Sequence, residues 1–341
     1  MTQGSHGRLG NFELASNREL AGVPTWDLGC ALLARLRNPD EAGSQLATEA
    51  RVALLEALRE AIDKNRDIWQ NPFAVGKSAT AFRFFRHCHR THQVPFRGAT
   101  WVDLGCGAVN PFVRLFPVLL LGARRVLCLE LEPPRDLAKA ARFVAELVST
   151  ALIDPARVFG DFAVDRRELL ANVADFDLAR LAAGDAGGLP PARCCLRQES
   201  VVATKLDAGS ADVLVSNSLL EHLPDVDQAL AEFARVTAPG GFGIHGIDTM
   251  DHRSYGDPAI HPLEFLTIPF GDRIVHECNR LRLAEFEALF ARHGFDVVDQ
   301  WRGACNELPA SLRARLVAPW RDQGDDHLAV TWSQYLVRKR R

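Results

Sequence analysis

The stretch Thr100-Trp-Val-Asp-Leu-Gly-Cys-Gly-Ala-Val-Asn110 constrains this chain more than any other. Its apolar run, Trp101 to Leu104, carries one acid, Asp103, and ends in Gly105-Cys106-Gly107. Such a run reads as a buried strand entering a turn whose backbone must come close to something else. The two glycines remove the side chains that would fill that approach. A second apolar run, Arg125-Val-Leu-Cys-Leu-Glu130, ends in a carboxylate. Strand, glycine turn, helix and a second strand closed by an acid form a βαβ unit suited to a nucleoside. Glu130 can accept hydrogen bonds from ribose hydroxyls, because an ionised carboxylate only accepts. Glu132, two residues on, is the fallback.

Two later segments repeat the pattern of strand followed by polar turn. They are Asp212-Val-Leu-Val-Ser-Asn-Ser-Leu-Leu-Glu-His222 and Ala238-Pro-Gly-Gly241, the latter leading into Phe242 to Asp248. In order and spacing, residues 98–250 resemble the class I S-adenosylmethionine-dependent methyltransferases. Asp103 to Gly107 is similar to their first motif, Asp212 to His222 to their fourth strand, and Ala238 to Gly241 to the turn before the fifth. The family's third glycine is Val109 here, which leaves the backbone path after Gly107 open. A dinucleotide-dependent dehydrogenase is the competing reading of the glycine turn. Its third glycine would fall at Asn110, so that fingerprint is broken.

The resemblance implies an α/β fold, a Rossmann-like sheet with S-adenosylmethionine as cofactor. Ligands of open parallel sheets bind beyond the carboxyl ends of the strands. On that basis the cofactor residues are Asp103, Gly105, Cys106, Gly107, Glu130, Leu131, Glu199, Ser200, Ser216 and Asn217. In the family the Glu199-Ser200 position lies against the adenine. His245, near the end of the fifth strand, is the candidate base, and Asp248 would orient it or a substrate amine; the alternative for His245 is a hydrogen-bonded interior histidine. His222 reads as structural, His252 and His261 cannot be ranked, and Tyr255 is within reach of the pocket.

Three functions fit. The first is methyl transfer to a small molecule, for example in secondary metabolism. The second is a lyase or cyclase in which the amine of S-adenosylmethionine attacks its own γ-carbon, giving azetidine-2-carboxylate and methylthioadenosine. The third is a non-catalytic sensing module for S-adenosylmethionine. No residue chooses among them. The partner is therefore a small-molecule substrate or S-adenosylmethionine itself, and the oligomeric state is not legible.

The chain has 341 residues, 40 basic and 43 acidic, for a net charge of −3. That balance carries no electrostatic footprint for nucleic acid. The longest apolar run, Phe116 to Ala123, is far too short to span a membrane. The eight cysteines form no paired motif, and a reduced cytoplasmic protein is expected. His87, Cys88, His89 and His92 are spaced for no tetrahedral centre, so no metal is expected.

Residues 1–97 are expected to form a helical lid and 98–341 the catalytic domain. Val52, Leu55, Leu58 and Ile62 recur at helical spacing within 44–64. A second helix follows from Ser78. Trp69, Phe73 and Phe82 are candidate aromatic walls, and Lys77 a candidate partner for the methionine carboxylate. Residues 150–192, with Phe159, Phe162 and Phe176, are too long for a plain connection and predict an ordered helical cap over the substrate. The closing strands are expected at Phe295 to Val298 and Leu328 to Val337.

Overall fold

The computed structural model describes residues 8–9, 12–13, 75–269, 271, 274–303 and 307–341. The expected helix at 44–64 and the aromatics Trp69 and Phe73 lie outside the described residues.

Seven strands form the main sheet: β1 (Thr100–Leu104), β2 (Arg125–Glu130), β3 (Cys194–Gln198), β4 (Ala211–Asn217), β5 (Thr237–Asp248), β6 (Phe295–Arg302) and β7 (Trp332–Lys339). Their order is β3-β2-β1-β4-β5-β7-β6. The pairs from β3 to β5 are all parallel, and β7 runs antiparallel to both β5 and β6. The chain winds outward from β1 in both directions, so the sheet has its switch point between β1 and β4. Arg8–Leu9 and Phe12–Glu13 pair separately as a short antiparallel ladder.

Every residue of β1 is buried, as a central parallel strand covered on both faces requires. Helices α1 (Val75–His92) and α2 (Leu137–Ile153) cover one face through Phe82, Phe84, Phe85, Phe143 and Leu147. Helices α3 (Val226–Val236) and α4 (Leu283–Arg292) cover the other through Phe233, Phe286 and Phe290. Each such phenylalanine contributes about 1.5–3 kcal/mol by leaving water. Asp136 and Asp225 cap α2 and α3, accepting from Lys139 and Gln228 N–H groups. Gly294, at φ +79°, turns the chain out of α4 into β6. Phe82 is a core residue, packed on Phe96, Phe159 and Phe162, and not a pocket wall.

No long helix follows the glycine turn. Residues 111–115 are turns, and the helix is only Phe116–Leu120. Pro111 disfavours helical backbone at Asn110, which delays the start. Leu328 ends a short helix, Asp325–Leu328, and the last strand begins at Trp332.

The 150–192 insertion is ordered as helices Pro155–Phe159, Arg166–Asn172 and Leu178–Ala182. Its contacts run to the amino ends of the strands. Asn172 donates to the Leu120 carbonyl ahead of β2, and Arg193, just ahead of β3, donates to the Asn172 carbonyl. Arg97, ahead of β1, pairs with Glu168. These helices therefore sit at the edge opposite the ligand edge, where a cap over the substrate had been expected. The carboxyl edge is covered by the described parts of two other segments, 249–282 and 303–331, which leave the sheet after β5 and β6. Their described parts share a third core of Leu263, Phe265, Leu266, Cys278, Leu312, Leu316, Trp320 and Leu328. Arg280 ties this cover together by donating to the Ile268 carbonyl and lying 4.7 Å over Trp320. Arg282 is fully buried and donates to the carbonyls of Thr249, Leu328 and Val330.

Candidate cofactor and acceptor site

The glycine turn leaves β1 with Gly105 at φ +64° and Gly107 at φ +88°, a region that side chains rarely adopt. A Cβ on Gly105 would lie 2.9 Å from Leu219 Cδ1, so that glycine serves close packing. A Cβ on Gly107 would meet nothing within 4 Å, so its bare backbone faces open space at the carboxyl edge. Cys106 contributes backbone only. Its N–H donates to the Leu129 carbonyl, and its thiol is buried against Cys128, whose hydrogen bond, with burial, pushes the Cys106 pKa up.

Glu130 joins the two halves of the βαβ unit. Its Oε2 accepts the Gly107 N–H at 2.7 Å, and its Oε1 accepts the Leu131 N–H at 2.9 Å. Oε1 also accepts the Glu132 N–H at 3.4 Å, so the lone pair left over is on Oε2. Leu131 beside it is 65% exposed. Asp103, on β1 two residues before Gly105, is fully buried, with Oδ1 accepting from Arg114 at 2.9 Å and Oδ2 without a hydrogen bond. Burial pushes its carboxyl up to about 6 against the opposing pull of Arg114. Asp103 thus braces the turn from beneath. Lys77, in the first turn of α1, lies near Arg114; burial and that like charge lower its pKa.

Glu199 follows β3, as expected for an adenine-side acid, but its carboxylate is engaged. Arg197 pairs with one oxygen and the Lys205 N–H donates to the other at 3.0 Å. Ser200 opens the next turn, its carbonyl accepting from Ala203 N–H.

The structure buries the side chains of His245 and Ser216. They are register partners on β5 and β4, and Ser216 Oγ bonds His245 Nδ1 at 2.8 Å. The imidazole is 1% exposed and stacked between Phe233 of α3 and Phe290 of α4. Burial drops its pKa to about 3. His245 shares its sheet face with Ile247, beneath the two helices, and so takes the interior alternative. Asn217, one residue past Ser216, does reach the edge. Its amide donates to Ser218 Oγ at 3.2 Å, and Ser218 sits at φ +49°.

Asp248 ends β5 inside a polar cluster that sequence reasoning had not assembled. Its Oδ1 accepts from Met250 N–H at 3.1 Å, its Oδ2 accepts from the Tyr255 hydroxyl, and His252 Nε2 lies 3.7 Å from Oδ2. Glu221, in the turn after β4, is 1% exposed and accepts the Asp248 N–H through Oε1 at 3.2 Å. Burial, with the Asp248 charge beside it, pushes Glu221 up to about 8. The rings of His222 and His252 meet edge-on at 5.0 Å, and burial lowers the His252 pKa. The available signal was positional: Glu221-His222 follows β4 and His252 follows β5, and those parallel neighbours end side by side. His261 has other partners: its Nδ1 accepts the Leu263 N–H at 3.1 Å and its Nε2 donates to the Glu307 carbonyl at 3.0 Å.

Residues 102–244 match a family model described as a methyltransferase domain. Solved structures with a similar fold include geranyl diphosphate C-methyltransferase of Streptomyces coelicolor A3(2), at 14% identity over 77% of this chain and 78% of that one, TM-score 0.43. Another is an S-adenosylmethionine-dependent methyltransferase of Mesorhizobium loti, at 14% identity over 73% of this chain and 94% of that one, TM-score 0.38. No curated protein matches the chain. Among the described residues, no helix is long and apolar enough to cross a membrane.

Proposed function

From the premise that residues 102–244 are a methyltransferase domain of the class I S-adenosylmethionine-dependent superfamily, with S-adenosylmethionine as its cofactor, we propose that this chain methylates a small molecule at the carboxyl ends of β4 and β5. The observation that carries the cofactor placement is the bare backbone of Gly107 facing open space at the carboxyl edge, with its N–H bonded to the Glu130 carboxylate. Held there by Gly107, Glu130 and Leu131, S-adenosylmethionine would supply an electrophilic methyl group, its leaving electron pair staying on sulfur.

The chain's own residues bind and orient. Glu130 keeps an Oε2 lone pair for a ribose hydroxyl, and exposed Leu131 offers an apolar surface for the base. Lys77, near Arg114, supplies positive charge for the methionine carboxylate. Arg114 itself is committed to Asp103. Glu199 holds the loop after β3 in place through Lys205 N–H and reaches the adenine edge only by exchanging Arg197. Asp248, Tyr255 and His252 border the acceptor, and a proton released by an acceptor hydroxyl or amine passes to the Asp248 carboxylate. Positioning of this kind can supply most of the acceleration.

The net charge of −3 supports a small acceptor, of the kind met in secondary metabolism, over a nucleic acid. We assign 98–341 to the catalytic domain and 1–97 to an appendage that contributes α1 and Lys77. The cover over the acceptor is assigned to 249–282 and 303–331 rather than to 150–192.

The test is product analysis. The protein is incubated with S-adenosylmethionine alone and with a metabolite extract. S-adenosylhomocysteine formed only with extract supports the proposal. Methylthioadenosine formed without extract supports the cyclase instead, and tight binding with no turnover in either case supports a sensing module.

A further inference from the structure

We infer that Glu221, His222 and His252 form a site for a first-row divalent transition-metal ion, placed to hold an oxygen of the acceptor. One ligand atom from each residue lies within 4.8 Å of the other two. Glu221 Oε2 and His252 Nε2 are both buried and make no hydrogen bond. An orphaned carboxylate oxygen and an orphaned imidazole nitrogen side by side are costly in a folded interior unless something fills the space between them.

The third donor is held in readiness. His222 Nδ1 lies 2.8 Å from the Glu277 carbonyl, which accepts the Nδ1 proton and leaves Nε2 with its lone pair. The loop providing that carbonyl is backbone-strained. His276, Glu277 and Arg280 sit at φ +49°, +69° and +62°. Strain of this kind persists only where the surroundings impose it. Here Asn279 imposes it, its amide donating to the Leu220 and Leu223 carbonyls and its N–H to the Glu221 carbonyl. The same clamp that strains the loop thus fixes the turn bearing Glu221 and His222.

Two imidazoles with a carboxylate suit zinc, manganese, iron or cobalt better than magnesium. Three protein ligands leave positions open for an exogenous oxygen. Asp248 Oδ2, 3.7 Å from His252 Nε2, lies at the rim of the group. The acceptor class that follows is one presenting a hydroxyl, carboxylate or phosphate oxygen to the ion. That assignment rests on the methyl-transfer reading, whereas the metal site itself does not.

Cobalt(II) is the probe. The full chain is stripped with chelator, then titrated with Co2+ while visible absorption is recorded, with S-adenosylmethionine affinity measured in parallel by calorimetry. One equivalent of Co2+ is expected to bind with a d–d spectrum of nitrogen–oxygen ligation. His252→Ala and Glu221→Gln are each expected to weaken it at least about tenfold, the lower range for disturbed metal sites. S-adenosylmethionine should still bind each variant within about threefold, which reports an intact fold; Glu221→Gln keeps the shape of the site should His252→Ala fail to fold. His92→Ala serves as the control, because His87, His92 and Asp299 are a second possible cobalt site. Absence of cobalt binding, binding indifferent to both site variants, or binding lost in His92→Ala overturns the inference. Failure of the methyltransferase reading shows differently, as wild-type protein that does not bind S-adenosylmethionine.

Discussion

Two places among the described residues bring together two histidines and one carboxylate, and they differ in what those groups already do. Between α1 and β6, His87 Nε2 and His92 Nε2 lie 2.7 Å and 2.9 Å from the same oxygen of Asp299. Each Nε2 there has its partner in that oxygen. All three side chains are partly exposed, and a cleft of about 420 Å³ beside them is lined by Arg83, Arg86, His87, Arg90, Thr91 and Trp301. At the carboxyl edge, Glu221 is buried, His252 is partly exposed, and each leaves a buried atom unbonded. One composition therefore gives a self-satisfied surface network in one place and an incomplete buried one in the other. Buried polar groups normally find partners, so the incomplete set is the one that implies a ligand.

The largest effect separating the two should be on pH-dependent stability. Glu221 has its folded pKa raised to about 8 from 4.5. Between those values the folded state holds a proton that the unfolded chain has released, so stability falls as pH rises. Across the window the loss is on the order of 5 kcal/mol at about 1.4 kcal/mol per unit. Urea unfolding of chelator-treated protein between pH 5 and 8 should show the decline, and Glu221→Gln should flatten it. A wild-type protein equally stable at both ends would remove the contrast between the clusters.

Next in size is the cofactor cradle. Glu130→Ala should weaken S-adenosylmethionine binding by about 1–3 kcal/mol, the scale of charged hydrogen bonds. Calorimetry is the measurement, and an unchanged affinity would move the ribose contact to Glu132.

A smaller effect is expected at Asp299. Burial pushes its carboxyl up, but the bonds from His87 and His92 outweigh burial and leave it lowered. A lowered carboxyl contributes stability above its unfolded pKa and loses it as pH falls through the folded value. Asp299→Asn should cost about 1 kcal/mol near pH 7 and less in strong acid. Thermal unfolding that shows stabilisation instead would mean the α1–β6 network is not satisfied after all.

The smallest effect on function is expected at His245. Its pKa, lowered by burial to about 3, keeps it neutral in the fold. Below 6.5 the unfolded chain takes up a proton that the folded ring refuses, so stability is lost as pH falls toward 3. His245→Gln should reduce this acid loss and leave S-adenosylmethionine affinity within about twofold at pH 7.5. A large affinity loss, with the fold intact by circular dichroism, would return His245 to the site.

The sequence by itself determined the parts of this protein that depend on local rules. An apolar run that carries one acid and ends in two closely spaced glycines reads as a buried strand meeting a close neighbour, and Gly105 and Gly107 do take positive φ there. An acid at the end of the next apolar run had to lie beside that turn, because parallel neighbours end at the same edge; Glu130 binds Gly107 N–H. Tertiary structure alone decided the rest. His245 and Asp248 lie three residues apart on one strand and so face opposite ways, and in a sheet covered on both sides hydropathy does not reveal which face is which. The 150–192 insertion was legible as ordered helix from its apolar spacing. Its edge was not, since that depends on the carbonyl of Leu120 that Asn172 finds. Glu221, His222 and His252 stand up to 31 positions apart along the chain and share no periodicity. They meet because β4 and β5 pair in parallel and Asn279 pulls a strained loop against them, and long-range contacts of that kind leave no mark on the sequence around any one of their members.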